Sequence, residues 1–316
     1  MRNNFQSLSL VILILFSLLI TKEAKIETLT AKQPASFLES VTVTTLNPSE
    51  AAAADIPKVY LPKSTTSVPL LPNFGQQATA ADYQSSVFNL GAKAVLVSDL
   101  DNDEDFIIHN INQRWSLASI TKLMTAVLTL EEIGKEKEVV VSKTAIATEG
   151  EAGKLETGRL YKIEDLIKIM LVTSSNDAAV ALAEFYAFGQ KSFVKMMNKK
   201  AVDLGMVQTV FFDPVGLSPL NQSTAGDIRK LIKYIDKIHP EIFAYSRETN
   251  FGELKNINPF AGQPNFLGGK TGYLDEAKEN LVSLFSVNEQ RILVIVLGAE
   301  NRFNQTREIL DYLTQR

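Results

Sequence analysis

The chain contains no cysteine, and only two of its 316 residues are histidine, His109 and His239. Without Cys there is no disulfide, no thiol nucleophile and no Cys-ligated zinc or iron–sulfur centre. Two His are too few for a His-rich metal site, and a Ser-His-Asp triad would have to use one of them. His109 falls in a predicted strand and His239 at a helix end before Pro240, so both read as structural or surface residues. Charge of one sign is lacking too: 32 Lys+Arg stand against 36 Asp+Glu, a net charge of −4. No global basic excess points to nucleic acid. Acid–base chemistry, if present, falls to Lys, Glu, Asp or Ser. With 45% hydrophobic and 22% charged residues, the composition is that of a globular protein.

The N-terminus reads as a targeting segment. Arg2 precedes the apolar run Leu8 to Ile20, broken only by Ser9 and Ser17. As a helix this run spans about 20 Å, short of the roughly 30 Å hydrocarbon core. Residues 1–21 are therefore expected to be a signal peptide or a short membrane anchor. Residues 22–80 hold Pro34, Pro48, Pro57, Pro62, Pro69 and Pro72, six of the eleven prolines, with many Ser and Thr. Such a stretch buries too little apolar surface to offset its chain entropy and reads as a spacer.

Residues 81–316 suit one large domain or two intimate subdomains. Gly91 to Asp99 and Asp105 to Asn110 read as strands around the turn Asp101 to Glu104. Helices are expected over Leu117 to Ile133, Ile163 to Val172, Ala178 to Phe188 and Lys191 to Leu204. Another should start at the cap Thr224, with Asp227 three residues on, and run to Ile238. Asn280 to Val287 and Arg291 to Gly298 read as a hairpin around Asn288 and Glu289, before a last helix from Phe303 to Leu313. Strands at both ends with helices between predict an α+β fold: one antiparallel sheet carrying a helical insertion.

Three short motifs carry candidate chemistry. In Ser119-Ile120-Thr121-Lys122, Ser and Lys three apart on a helix share one face, so the amine can take the hydroxyl proton. Ser192-Phe193-Val194-Lys195 has the same spacing but sits in an amphipathic helix and reads as a solvated face. Ser174-Ser175-Asn176 lies between two helices, where a loop can project a hydroxyl and an amide into a cleft. Capping of the following helix competes with that reading, and Ser286-Val287-Asn288 repeats the spacing. Lys270-Thr271-Gly272 follows Gly268-Gly269 and reads as a strand entered from a Gly-rich turn. Lys270 offers a fixed cation and Thr271 a hydroxyl for a carboxylate, and Gly272 leaves room for a ligand backbone.

S-x-x-K, S-x-N and K-T-G in this order are the signature of penicillin-binding proteins and serine β-lactamases. With W-S-L-A-S-I-T-K, M-L-V-T-S-S-N-D-A-A, the stretch Met197 to Leu217 and G-G-K-T-G-Y, the sequence resembles the low-molecular-weight D-alanyl-D-alanine carboxypeptidases. The resemblance covers about Ala92 to Gly298. It implies a DD-peptidase/β-lactamase-like fold in which the sheet and its flanking helices carry a helical subdomain. It implies that Ser119 is acylated by the penultimate D-Ala carbonyl of a peptidoglycan stem peptide, with release of the last D-Ala. It further implies Lys122 as general base, with Ser174 and Asn176 relaying the proton and holding the substrate amide. Lys270, Thr271 and Gly272 would bind the terminal carboxylate end. The backbone N–H groups of Ser119 and Tyr273 would form the oxyanion hole. No metal or cofactor is implied; β-lactams would be covalent inhibitors, and the location would be the bacterial envelope. A free Lys is only about 0.04% neutral at pH 7, so burial and repulsion from Lys270 are expected to lower the pKa of Lys122.

One departure is Lys278, where related sequences usually have Gly. Many members also carry a C-terminal β domain and an amphipathic membrane helix. This sequence ends at Arg316, and membrane attachment is expected from the N-terminal segment. The competing readings are a D,D-endopeptidase with the same residues, a β-lactamase, and an inactive envelope scaffold. A class A β-lactamase needs a deacylating Glu between the second and third motifs. Glu184, Glu241, Glu248 and Glu253 lie there, none in an E-x-x-x-N pattern. A scaffold would be expected to have lost a motif Ser, Lys or Asn.

Overall fold

The computed structural model describes residues 91–150 and 153–315. The expected targeting segment and the whole of the spacer lie outside the described residues. No helix among the described residues is long and apolar enough to cross a membrane.

The chain enters through β1 (Ala94–Asp99) and β2 (Asp105–His109). After the short β3 (Trp115–Ser116) comes a helical run: a 3-10 turn Ala118–Thr121, α1 (Lys122–Leu128) and a π turn Thr129–Ile133. Gly134, at φ 87°, ends it. A hairpin of β4 (Glu138–Val140) and β5 (Leu160–Lys162) flanks α2 (Lys143–Ile146). Then follow α3 (Ile163–Thr173), α4 (Asn176–Phe185) and α5 (Gly189–Asp203). β6 (Gln222–Ser223) pairs with β3. Thr224 caps α6 (Ala225–Ile238) by accepting from the Asp227 amide at 3.1 Å, as the sequence led us to expect. α7 (Glu241–Ser246) and the small hairpin β7 (Asn250–Phe251) and β8 (Leu254–Lys255) complete the insertion. The chain returns as β9 (Phe266–Leu274), β10 (Lys278–Val287), β11 (Gln290–Ala299) and α8 (Arg302–Thr314).

The main sheet has five antiparallel strands in the order β2-β1-β11-β10-β9. Its central strands are buried on both faces, which explains their nearly unbroken apolar runs. Leu96, Leu284, Leu293, Ile295 and Leu297 face the core shared with the insertion helices. Val95, Val97, Phe285, Ile292, Val294 and Val296 face the opposite core, which Ile309, Leu310 and Leu313 of α8 cover. The period of two along each strand thus builds two cores from one sheet. Asn288 and Glu289, both at positive φ, make the turn joining β10 and β11.

Some local expectations change. Gly268 and Gly269 are not a turn before a strand; they lie within β9. A Cβ at Gly268 would meet the Phe243 carbonyl oxygen at 2.7 Å, so glycine lets β9 approach α7. Asn176 is likewise not in a loop but opens α4, with Ser175 as its cap. The acidic turn after β1 is matched by basic side chains: Asp101 and Asp236 pair with Arg291, Asp103 with Lys233, and Asp105 with Arg229 at 2.6 Å.

Candidate active site

The site forms where α1 and α4 meet β9. Ser119 sits in the 3-10 turn that opens the helical run, just after Ala118 at φ 46°. The turn is held on two sides. Gly216, at φ 93°, packs so close that a Cβ would overlap the Ala118 carbonyl. A Cβ on Gly272 of β9 would meet the Leu117 carbonyl oxygen at 2.8 Å. Behind it, Asn280 of β10 donates to the carbonyls of Ser116 and Leu117, at 2.8 and 3.1 Å, and accepts from the Gly298 amide.

Lys122 is completely buried. Its Nζ lies 2.8 Å from Ser119 Oγ, 2.7 Å from Asn176 Oδ1 and 2.7 Å from the Val215 carbonyl. The Asn176 and Val215 oxygens can only accept, so they use two N–H bonds. That leaves the third direction for Ser119, whose hydroxyl can donate to the lone pair of a neutral amine. Burial lowers the Lys122 pKa to about 7, against the pull of Asp213 and Asp177 toward the charged form.

Two backbone arrangements fix this cluster. Asn176 Nδ2 donates to the Glu149 carbonyl at 2.6 Å, which turns Oδ1 toward Lys122. Asp213 accepts from the amides of Val215, Gly216 and Ser218 at 2.6 to 2.8 Å, shaping the loop that presents the Val215 carbonyl.

Lys270 gathers the second motif's other half. Its Nζ contacts Ser174 Oγ at 2.7 Å and the Thr271 carbonyl at 2.9 Å. Ser174 ends α3 in the left-handed conformation. The structure therefore puts Ser174 on Lys270 and Asn176 on Lys122. Burial, and then the charges of Lys122 and Arg302, hold the Lys270 pKa well below the ordinary lysine value. Burial is the leading cause at both lysines.

Ser119, Ser174, Thr271, Gly272 and Tyr273 line one cleft of about 170 Å³, with Ile257 and Arg302. All eight candidate residues thus converge: Ser119, Lys122, Ser174, Asn176, Lys270, Thr271, Gly272 and Tyr273. Tyr273 is 57% exposed and its hydroxyl donates to Asp275. Sequence reasoning missed Arg302, which opens α8 and donates from Nη1 to the Gly272 carbonyl at 2.8 Å. It carries no motif, and only tertiary folding brings α8 to β9. It also missed Asn280, Asp213 and Ile257. The four glutamates weighed as deacylating bases are not among the cleft residues; Glu184, for one, accepts from Ser142 at 2.6 Å.

Residues 77–301 match the model of the D-alanyl-D-alanine carboxypeptidase family. The chain is 33% identical over 239 residues to the D-alanyl-D-alanine carboxypeptidase DacF of Bacillus subtilis, covering 70% of this chain and 61% of that one. It is 28% identical over 265 residues to the D-alanyl-D-alanine endopeptidase of Escherichia coli, covering 78% and 85%. Its fold is similar to the crystal structure of a D-alanyl-D-alanine carboxypeptidase from Mycobacterium tuberculosis, with a TM-score of 0.65, 25% identity, and coverage of 70% and 90%. The chain spans about three-fifths of the length of the DacF relative. With the family model matched over most of its length, and the three motifs meeting in one cleft, the chain belongs to the D-alanyl-D-alanine carboxypeptidase family.

Proposed function

We propose that this protein is a serine-type D-Ala-D-Ala carboxypeptidase that trims the terminal D-alanine from peptidoglycan stem peptides. The observation that carries this reading is the contact of Ser119 Oγ with the buried Lys122 amine. In the acylation step, Ser119 Oγ attacks the penultimate D-Ala carbonyl carbon and Lys122 takes the hydroxyl proton. The oxyanion faces the backbone N–H groups of Ser119 and Tyr273. Collapse breaks the peptide bond, and the departing D-Ala nitrogen receives a proton from the Lys122–Ser174–Lys270 side of the cleft. Water then hydrolyses the serine ester.

Lys270, Thr271 and Arg302 hold the terminal carboxylate, with Gly272 allowing the close approach. An arriving carboxylate favours the charged form of Lys270, offsetting the burial that lowers its pKa. The rest of the assignment follows: residues 1–21 are a signal peptide or membrane anchor, 22–80 a spacer, and 81–316 the catalytic domain. The enzyme works in the bacterial envelope after export, and β-lactams acylate Ser119.

A D,D-endopeptidase is the second reading, favoured by the fuller coverage of the Escherichia coli endopeptidase. Intact-mass analysis with benzylpenicillin tests the chemistry. One drug mass on Ser119, lost in Ser119→Ala, is the expected result. Labelling that persists in Ser119→Ala, or rapid drug hydrolysis without an adduct, overturns the assignment. Release of free D-Ala from stem pentapeptide, against cleavage of cross-linked dimers, separates carboxypeptidase from endopeptidase.

A further inference from the structure

The far end of the cleft is built around Arg302, and a carboxylate on β10 holds that arginine. Glu279 Oε2 accepts from the Arg302 backbone amide at 2.9 Å, at the first turn of α8. The same oxygen lies 3.9 Å from Arg302 Nε, an ion pair too long for a hydrogen bond. The guanidinium carbon stands 4.7 Å from the Phe303 ring centroid, and Nη1 reaches the Gly272 carbonyl. The Arg302 side chain is only 13% exposed, and its buried Nε has no hydrogen-bond partner. A guanidinium has five N–H donors in a rigid fork. Here one is bound to Gly272, and the fork borders the cleft with donors to spare.

Glu279 is well placed to set this fork. It lies opposite Tyr273 in the β9–β10 ladder, so it is fixed to the same strand pair as the K-T-G motif. The register shifts after Glu279, a bulge of the kind that re-aims side chains. Its negative charge at a helix N-terminus also complements the helix dipole. Glu279 therefore ties the first turn of α8, and with it Arg302, to β10, the strand paired with the one that carries Lys270 and Thr271.

We propose that Glu279 is a positioning residue for substrate recognition, holding Arg302 so that its free N–H donors receive the terminal carboxylate of the peptide. This rests on the carboxylate reading given above. Glu279 does not touch substrate; it acts through Arg302. It confers preference for a free terminal carboxylate without taking part in acylation.

The test uses the full-length protein and two acylated tripeptides ending in D-Ala-D-Ala, one a free acid and one a C-terminal amide. In Glu279→Ala, KM for the acid should rise about three- to tenfold, with kcat far less affected. The acid-to-amide ratio of kcat/KM should fall by the same factor. Glu279→Gln, which keeps an acceptor for the Arg302 amide, should recover at least half of that loss and serves if the alanine variant does not fold. An unchanged ratio, or a parallel loss for both peptides, overturns the proposal. Arg302→Ala separates it from the underlying reading. If that variant keeps the wild-type ratio, the carboxylate assignment itself fails. If it lowers the ratio while both Glu279 variants do not, only the positioning role fails.

Discussion

Lys122 Nζ lies 2.8 Å from Ser119 Oγ, and the lysine side chain has no contact with solvent. For Lys122 to act as the base proposed above, its amine must be neutral to accept the hydroxyl proton. In water that state is rare at neutral pH, because a free lysine titrates near 10.4. Burial brings the Lys122 pKa to about 7, so a large share of the amine is neutral at physiological pH.

The acylation rate should therefore rise with pH through about 7. Below that value the rate falls about tenfold per pH unit, and above it the rate levels off. Stopped-flow acylation by a fluorescent penicillin between pH 5 and 9 measures this limb. A flat profile across that range would refute Lys122 as the base. Stability carries the same sign. Between about 7 and the unfolded value near 10.4, the unfolded chain holds the extra proton. Unfolding free energy from this group therefore rises with pH across that window, and the burial penalty is fully present below it.

Much of this arrangement was legible because it is local. The two-face burial of β1, β10 and β11 shows as apolar runs, and the Thr224–Asp227 cap shows as a spacing. The three motifs marked the cleft because each holds its chemistry within a few residues. What stayed hidden depends on chain segments far apart. Nothing near Ser174 says that its hydroxyl meets Lys270, 96 positions on, while its neighbour Asn176 meets Lys122. The Val215 acceptor is a backbone carbonyl and leaves no residue-type signature. Gly268 and Gly269 misled for a physical reason: a glycine pair reads as a turn, but here, within an extended strand, Gly268 admits α7 and Gly269 packs against Val282 and Ser283 of β10.

Asn280 illustrates how a residue outside every motif can fix the turn that carries Ser119. It is fully buried and joins β10 to the backbone just before Ser119 and to the Gly298 amide of β11. Asn280→Ala would remove a partner from the Ser116 carbonyl and the Gly298 amide, and one of the two donors to the Leu117 carbonyl. Unfolding free energy should drop by about 2–4 kcal/mol in denaturant titration. Acylation should slow as well, because the Ser119 turn loses its anchor to the sheet. A loss below about 1 kcal/mol with unchanged acylation would mean that the turn is held by Gly216 and Gly272 alone.

Lys278 gives the opposite expectation, a gain from removing a side chain. It opens β10 at φ 54°, the left-handed region where a Cβ is crowded. A non-glycine residue there costs about 1–2 kcal/mol. Glycine relieves that strain but adds about 0.4–1 kcal/mol of chain entropy to the unfolded state. The balance favours the variant, so Lys278→Gly should be more stable by about 0.5 kcal/mol. The turn itself should keep its shape, because Trp115 Nε1 donates to the adjacent Ala277 carbonyl at 2.7 Å and does not involve Lys278. Lys278 is exposed and is not among the residues lining the cleft, so acylation should stay within about twofold of the parent, the level of a neutral surface change. Thermal unfolding of the two proteins side by side decides the matter. A lower melting temperature for Lys278→Gly would show that the lysine side chain supplies contacts worth more than the strain it imposes.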